Sequence, residues 1–431
     1  MENLKEFLGK AITYDAWLAL TSELVVCGQP EAENPLDPDQ PSGSEAAIAA
    51  RVGDELERLG LEVEFFSKRP GRPNVVATWR GSRPGPTLIL NDHLDTYPAG
   101  DPTAWTETAG NPYNPTETGD RLYSRGTSDT RGNLACALLA VRALKEVGFD
   151  PAGTLKCVFT VDEEKHGPEG SIHLLDTVGL TGDFEITTEP TAWTEAPGDW
   201  GMGIAVAHAG NCLLELSVEG TKSHLWRPDT GVNAIHRMCS LLGRLETMRF
   251  RYDEPAYPGG TPPMVCTTRI RAGEPREMQF TPSRCTAILA VVGIVPGMTL
   301  DSILADIQTE MTAANAEDPA LQATVRQLPG SLFVAPTEEV PADQEPVASL
   351  VKAYEQILGH PPRLYRKNAY CDTIRFSERG IPAVTFGPGE DGWPPVNEYI
   401  HTPKAVPAAQ IVALAISVLL GGHRVPPQPT S

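Results

Sequence analysis

The sequence lacks the features that would place a chain among secreted, membrane or nucleic-acid-binding proteins. It contains no Cys-x-x-Cys pair, no long basic run, no internal repeat and no low-complexity tract. Its eight cysteines are scattered from Cys27 to Cys371. They read as reduced core or surface thiols, which points to the cytoplasm. Lysine and arginine number 35 against 56 aspartates and glutamates, a formal net charge of −21. Such a surface repels phosphate backbones and anionic lipid, so no nucleic acid and no acidic polymer is expected as a partner. The N-terminus, Met1 to Leu8, carries Glu2 and Glu6 and no apolar signal core, so no secretion signal is read there. The longest apolar stretch, Ile411 to Leu420, is too short to span a bilayer. It reads as a terminal core helix, with no membrane partner implied.

What is present is ample apolar material, 41% of 431 residues, and a length that favours two domains. A helix is expected from Ser42 to Leu59, where Ser42 and Glu45 have capping-box spacing and Gly60 stops it. Strands are expected from Asn74 to Arg80, Thr87 to Asn91, Leu155 to Val161 and Phe184 to Thr188, with a helix from Gly132 to Val147. This is the rhythm of an α/β sheet, which gathers functional groups at the carboxyl ends of its strands. After about His208 the character changes. A strand from Leu213 to Glu219, a helix from Asn233 to Met248, a strand from Thr286 to Val292 and a helix from Leu300 to Ala313 suggest a separate α+β module. A Pro/Glu-rich linker, Ala335 to Pro346, closes it. The α/β pattern then resumes with a helix from Val347 to Leu358 and a strand near Ala383 to Phe386.

Four polar clusters stand at or near strand ends, and a fifth lies near the C-terminus. They are His93-Leu94-Asp95, Gly126-Thr127-Ser128-Asp129 before Gly132, Asp162-Glu163-Glu164, Glu189-Pro190 and His401-Thr402-Pro403. Taken singly, each has an ordinary reading: an exposed acidic turn, a cap, a solvated loop histidine. In this order they resemble the metallopeptidase family that includes acetylornithine deacetylase, succinyl-diaminopimelate desuccinylase, aminoacylase and glutamate carboxypeptidase. Gly220-Thr221-Lys222-Ser223-His224 resembles that family's lid motif. Leu122-Tyr123-Ser124-Arg125-Gly126 is similar to its approach to a bridging aspartate.

The resemblance covers nearly the whole chain and implies an α/β fold. A zinc-peptidase-like catalytic domain, a mixed sheet flanked by helices, would occupy residues 1–208 and 333–431. An inserted α+β lid and dimerisation domain would occupy residues 209–332. It further implies two divalent metal ions, Zn²⁺ foremost, with Mn²⁺ or Co²⁺ as alternatives. Asp129 would bridge them, His93 and Glu189 completing one metal and Glu164 and His401 the other. Glu163 would be the general base, Asp95 would orient His93, and His224 would bind the substrate or stabilise the oxyanion. A homodimer or higher homo-oligomer through the lid is also implied. The chemistry is coherent: mixed imidazole and carboxylate ligation leaves positions open for water. A free carboxylate can then take the water's proton and return it to the departing nitrogen.

Two departures concern the substrate. Where the family usually carries Asp-x-Arg before Pro-Gly in the lid, this chain reads Val291-Val292-Gly293-Ile294-Val295-Pro296-Gly297. Tyr370-Cys371-Asp372-Thr373-Ile374-Arg375 is bulkier than the family's small-residue run and one residue longer. Arg375 or His224 is then left to hold a substrate carboxylate. Trp193, Trp200, Trp226, Tyr370 and Trp393 lie in segments expected to approach the site, where they would make it flat and apolar. The expected activity is hydrolysis of the amide C–N bond of a small carboxylate-bearing molecule, an N-acyl amino acid or dipeptide. One alternative is displacement of ammonia from an amino-substituted benzoate, as in 5-nitroanthranilate-type aminohydrolases, where a nitro group para to the amine takes up charge. A non-catalytic binding protein on the same fold is the alternative from another class, and the retained Glu163 argues against it.

Overall fold

Thr87-Leu88-Ile89-Leu90 carries apolar residues on both faces, the pattern of a strand covered on both sides. In the computed structural model it lies within the strand Arg83–His93, where Leu88, Ile89 and Leu90 are fully buried. The structure describes residues 2–29, 45–196, 199–255, 260–273, 278–392, 394–421 and 423–424. Ser42 and Trp393 lie outside the described residues. The chain divides into two units. One comprises Met1–Val206, Glu339–Tyr365 and Cys371–Ser431, the other Ala207–Glu338 and Arg366–Tyr370.

Among the described residues the larger unit is built on a nine-stranded mixed sheet. Its centre is parallel: Arg83–His93 lies between Ala152–Thr160 and Phe184–Thr187, and Ala383–Thr385 adds beyond the latter. Asn74–Arg80 and then Glu62–Phe66 extend one side antiparallel, and Asp199–His208 flanks the other. Because the central strands run the same way, their carboxyl ends open at one edge. His93 there pairs with Thr160, and Asn91 with Thr187. Three polar clusters far apart in sequence therefore leave the sheet side by side.

Helices cover this sheet. Ala405–Leu419 is buried along most of its length and packs against Gly132–Glu146 and Glu345–Leu358. Its hydrophobic window reaches back to Thr402, long and apolar enough to cross a membrane by composition, yet two-thirds (67%) of that window is buried inside the protein. The expected helix from Ser42 is observed as Ala46–Arg58, and among the described residues Glu45, at its N-cap position, makes no side-chain capping hydrogen bond. Its carboxylate is engaged instead by Arg72, a long-range ion pair that local spacing does not reveal.

The second unit is an α+β layer. Four antiparallel strands run in the order Met264–Ala272, Arg284–Ile294, Gly210–Glu219, Gln322–Gln327. Helices Ala234–Thr247 and Leu300–Glu317 supply Met238, Leu241, Leu245, Ile303 and Ile307 to a core shared with Leu214, Leu216 and Val218. Asn233 and Thr299 cap the two helices through their side chains. The strand Met264–Ala272 has no counterpart among the expected elements. Nearly all its residues are exposed, so it carries no core-facing alternation and is held by its ladder to Arg284–Ile294.

Trp17 links the fold to the functional edge. It is fully buried in the helix Tyr14–Cys27, and its indole N–H donates to the Gly132 carbonyl at 3.0 Å, where the helix after Asp129 begins. Replacing it with phenylalanine keeps most of the apolar contact and removes that hydrogen bond, leaving the carbonyl to its helical N–H partner. A loss of about 0.5–1.5 kcal/mol is expected, the usual net contribution of one intramolecular hydrogen bond. Calorimetry of Trp17→Phe should show the unfolding transition displaced downward, and an unchanged transition would contradict this role.

Candidate active site

His93 is the last residue of its strand, and its ring is 1% exposed. One ring nitrogen, Nδ1, faces the Asp95 carbonyl at 3.2 Å and the Asp95 carboxylate at 3.4 Å. The other, Nε2, lies 3.0 Å from Asp129 Oδ1 and 3.9 Å from Glu163 Oε2. A proton on Nδ1 leaves the Nε2 lone pair turned toward the carboxylates, the tautomer a metal-ligating imidazole needs. Asp95 also accepts the backbone N–H groups of Glu163 and Glu164, each at 3.2 Å. It therefore fixes His93 and the acidic turn together.

Asp129 sits in the short segment Thr127–Arg131 with non-helical backbone angles, and the peptide bond after it is cis. Two buried side chains that the sequence reading missed shape this loop. Glu398, fully buried, accepts from the backbone N–H of Gly126 at 2.8 Å, Ser128 at 2.8 Å and Asp129 at 3.0 Å, and from Arg125 Nη1 at 2.7 Å. Gly126, with φ of +85°, supplies the left-handed turn that brings these N–H groups to one carboxylate. Arg131 then donates to the carbonyls of Leu94 at 2.8 Å and Asp95 at 3.1 Å. The Asp129 loop and the His93 loop are thereby joined.

The acidic turn is clamped from below. Asp162 has left-handed backbone angles, and its carboxylate meets Arg72, which is 4% exposed, at 3.0 Å. The same guanidinium holds Glu45 at 2.7 Å and Glu169 at 3.0 Å. Asn74, two residues on, accepts from the Val161 N–H and donates to the Glu169 carbonyl, each at 2.9 Å. Nothing in the local pattern of Arg72-Pro73-Asn74 signals this, since its partners lie up to 97 positions away.

Ligand-capable atoms of His93, Glu163 and Glu164 all lie within 4.8 Å of one another. Burial and the charges of Glu189, Glu164 and Asp372 hold the Glu163 carboxyl well above the usual carboxylate range, with His93 opposing. Burial and Asp129, Asp95 and Glu189 do the same for Glu164. Burial disfavours a charged His93, but Glu163, Asp129 and Asp95 outweigh it and raise its pKa. The cluster is rich in negative charge and short of cations. Tyr97 feels it too: burial and the charges of Glu164, Glu163 and Asp129 push its phenol up to about 12.

Other expected residues fall as follows. Glu189, two residues beyond the strand Phe184–Thr187, is 3% exposed and raises the Glu163 pKa through its charge. His401 ends the strand Tyr399–His401, with Nε2 on Asp120 at 2.7 Å and the Trp200 ring 6.5 Å away. It is not part of the His93, Glu163 and Glu164 group. Arg375 is buried, with Nε on the His166 carbonyl at 3.1 Å and Nη1 on Glu378 at 2.9 Å. In the second unit, His224 packs edge-on against Phe280 and accepts from the Trp226 N–H at 3.3 Å. Trp226 is 79% exposed, while Trp193, Trp200 and Tyr370 are half-buried. Gly293 has φ of +73°, and a Cβ there would stand 2.7 Å from the Thr261 carbonyl. An arginine at that position would need the backbone to move.

Whether these residues suit divalent ions is answered by the donor set. Imidazole and several carboxylates converge, and Glu164 Oε1 and His401 Nδ1 are buried without a hydrogen-bond partner. An acceptor left so costs about 1–3 kcal/mol, which a bound cation offsets. The residues fit the group.

A model of peptidase family M20/M25/M40 matches residues 89–417. The protein YgeY of Escherichia coli (strain K12) is 28% identical over 366 residues, 81% of this chain and 83% of its own length. A succinyl-diaminopimelate desuccinylase of Alkalilimnicola ehrlichii is 24% identical over 383 residues, covering 88% and 95% of the two chains. Among solved structures, human carnosine dipeptidase 1 superposes with a TM-score of 0.72 at 15% identity, covering 97% of this chain and 98% of the other. At that identity the likeness speaks for the fold, and its mixed sheet with flanking helices is the one described above. The chain belongs to peptidase family M20/M25/M40, metal-dependent hydrolases that act on C–N bonds.

Proposed function

We propose that this enzyme hydrolyses the amide C–N bond of a small carboxylate-bearing substrate, an N-acyl amino acid or dipeptide. The observation that carries the reading is the placement of Glu163. It is a buried carboxylate 3.9 Å from the His93 ring, among side chains suited to hold cations. Two divalent ions, Zn²⁺ foremost and Mn²⁺ or Co²⁺ as alternatives, would polarise the scissile carbonyl and make water a nucleophile at neutral pH. In this reading Asp129 would be shared by the two ions, His93 and Glu189 would hold one, and Glu164 and His401 the other. Glu163 takes the attacking water's proton and returns it to the departing nitrogen. A carboxylate placed beside the reacting water can serve both transfers in turn. Asp95 keeps His93 and the acidic turn in register.

The similarity to a succinyl-diaminopimelate desuccinylase supports an amide substrate. His224 is proposed to donate to the substrate. Arg375 is the weaker anchor for a substrate carboxylate, since it would have to give up Glu378. A homodimer through residues 209–332 belongs to the same reading, supported by the exposed Met264 and Ile270 on an edge strand. A second reading, hydrolytic release of ammonia from an aromatic amine, is favoured by Trp200 beside His401.

Three outcomes test the proposal. Glu163→Gln should keep its metal and fold yet lower kcat by roughly a hundredfold or more, while Glu164→Gln should instead weaken metal binding. The opposite behaviour would exchange the two roles. Chelation should abolish activity, and Asp129→Ala should lose both ions. Full metal content in that variant, by elemental analysis, would remove the bridging assignment. Across a panel of acyl amino acids, dipeptides and aminobenzoates, amide substrates should be turned over. Ammonia release from a nitro-substituted aminobenzoate, with no turnover of acyl amino acids, would put the aromatic reading first.

A further inference from the structure

Asp120 stands in the turn between the paired strands Thr116–Thr118 and Arg121–Tyr123. The second of these pairs with Tyr399–His401, placing Arg121 opposite His401. Two backbone contacts seat the turn: the Asp120 carbonyl accepts from the Thr402 N–H at 2.8 Å and the Thr402 hydroxyl at 3.2 Å. The Asp120 carboxylate, thus delivered, meets His401 Nε2 at 2.7 Å. The other ring nitrogen, Nδ1, is buried and has no hydrogen-bond partner.

We propose that Asp120 is a positioning residue that holds His401 as the Nε2–H tautomer, leaving the buried Nδ1 lone pair free to ligate a divalent cation. This rests on the reading of His401 as a ligand. A neutral imidazole has one N–H, and a carboxylate can only accept it. The hydrogen bond therefore decides which nitrogen keeps its lone pair. The arrangement parallels His93, whose Nδ1 faces Asp95 while Nε2 faces the carboxylates. The two backing acids differ in one respect. Asp95 is 5% exposed and anchored by two backbone N–H groups, whereas Asp120 is 48% exposed. Solvent and salt reach the second contact more readily, so it relies on the turn geometry set by Thr402.

The test uses the full-length apoenzyme titrated with Zn²⁺ against a chromophoric chelator, and ¹⁵N-histidine NMR to report the ring tautomer. His401→Ala should lose one Zn²⁺ equivalent. Asp120→Ala should weaken that same equivalent by roughly tenfold or more, and apo His401 should shift from the Nε2–H tautomer toward a mixture. Asp120→Asn, whose amide oxygen still accepts, should recover part of the affinity. Glu117→Ala, removing a nearby charge that faces Tyr14, should bind as the parent does. If Asp120→Ala keeps both the parent affinity and the parent tautomer while His401→Ala loses an equivalent, the Asp120 role is overturned and the ligand reading stands. If His401→Ala binds as the parent does, the ligand reading itself falls.

Discussion

The structure around the functional edge depends on one electrostatic constraint: several carboxylates are buried together where parallel strands end. His93, Glu163 and Glu164 converge within a few ångströms, Asp129 touches His93, and the charge of Glu189 is felt by Glu163. Left alone, such a cluster repels itself and resists ionisation. The protein answers with buried guanidinium groups placed around the cluster. Arg72 gathers Glu45, Asp162 and Glu169 below the acidic turn. Arg125 meets Glu398 under the Asp129 loop, and Arg131 binds the carbonyls beside His93. These cations hold the scaffold and leave the acidic groups of the site itself in need of further positive charge, the requirement a divalent ion meets.

The positioning side chains form a shell with a clear division of labour. Asp95 couples the histidine to the acidic turn, Glu398 gathers the N–H groups of the Asp129 loop, and Asp120 meets His401. Each acts through backbone groups or ring nitrogens, so each sets geometry as well as charge. Functional groups held in this way lose little freedom when a substrate binds, which is how rigid sites achieve orientation.

Much of this was legible in the sequence, for identifiable reasons. The runs that became the strands Arg83–His93, Ala152–Thr160 and Phe184–Thr187 were read as strands ending in polar residues, and their ends announced where His93, Glu163, Glu164 and Glu189 would leave the sheet. Roles for those residues came from the family resemblance, not from the pattern. Glu398, Arg72 and Asp120 were not legible, because their partners lie 272, 90 and 281 positions away and no local periodicity encodes such meetings. The ion pair of Glu45 with Arg72 was not legible for the same reason. The exposed strand Met264–Ala272 escaped notice because its backbone ladder, not burial, makes it a strand. The missing lid arginine proved informative in the opposite direction, since Gly293 stands where the Thr261 and Pro262 backbone leaves no room for a side chain.

The central claim is that the carboxylates at the strand ends are cation ligands arranged around Asp129. Anomalous diffraction at the zinc edge from crystals of the Zn²⁺-loaded enzyme tests it most directly. The account predicts two peaks, each with the Asp129 carboxylate at about 2.0–2.2 Å, the usual zinc–oxygen distance. One should also touch His93 and Glu189, the other Glu164 and His401. Zinc bound elsewhere, or a cluster whose metal does not touch Asp129, would contradict it.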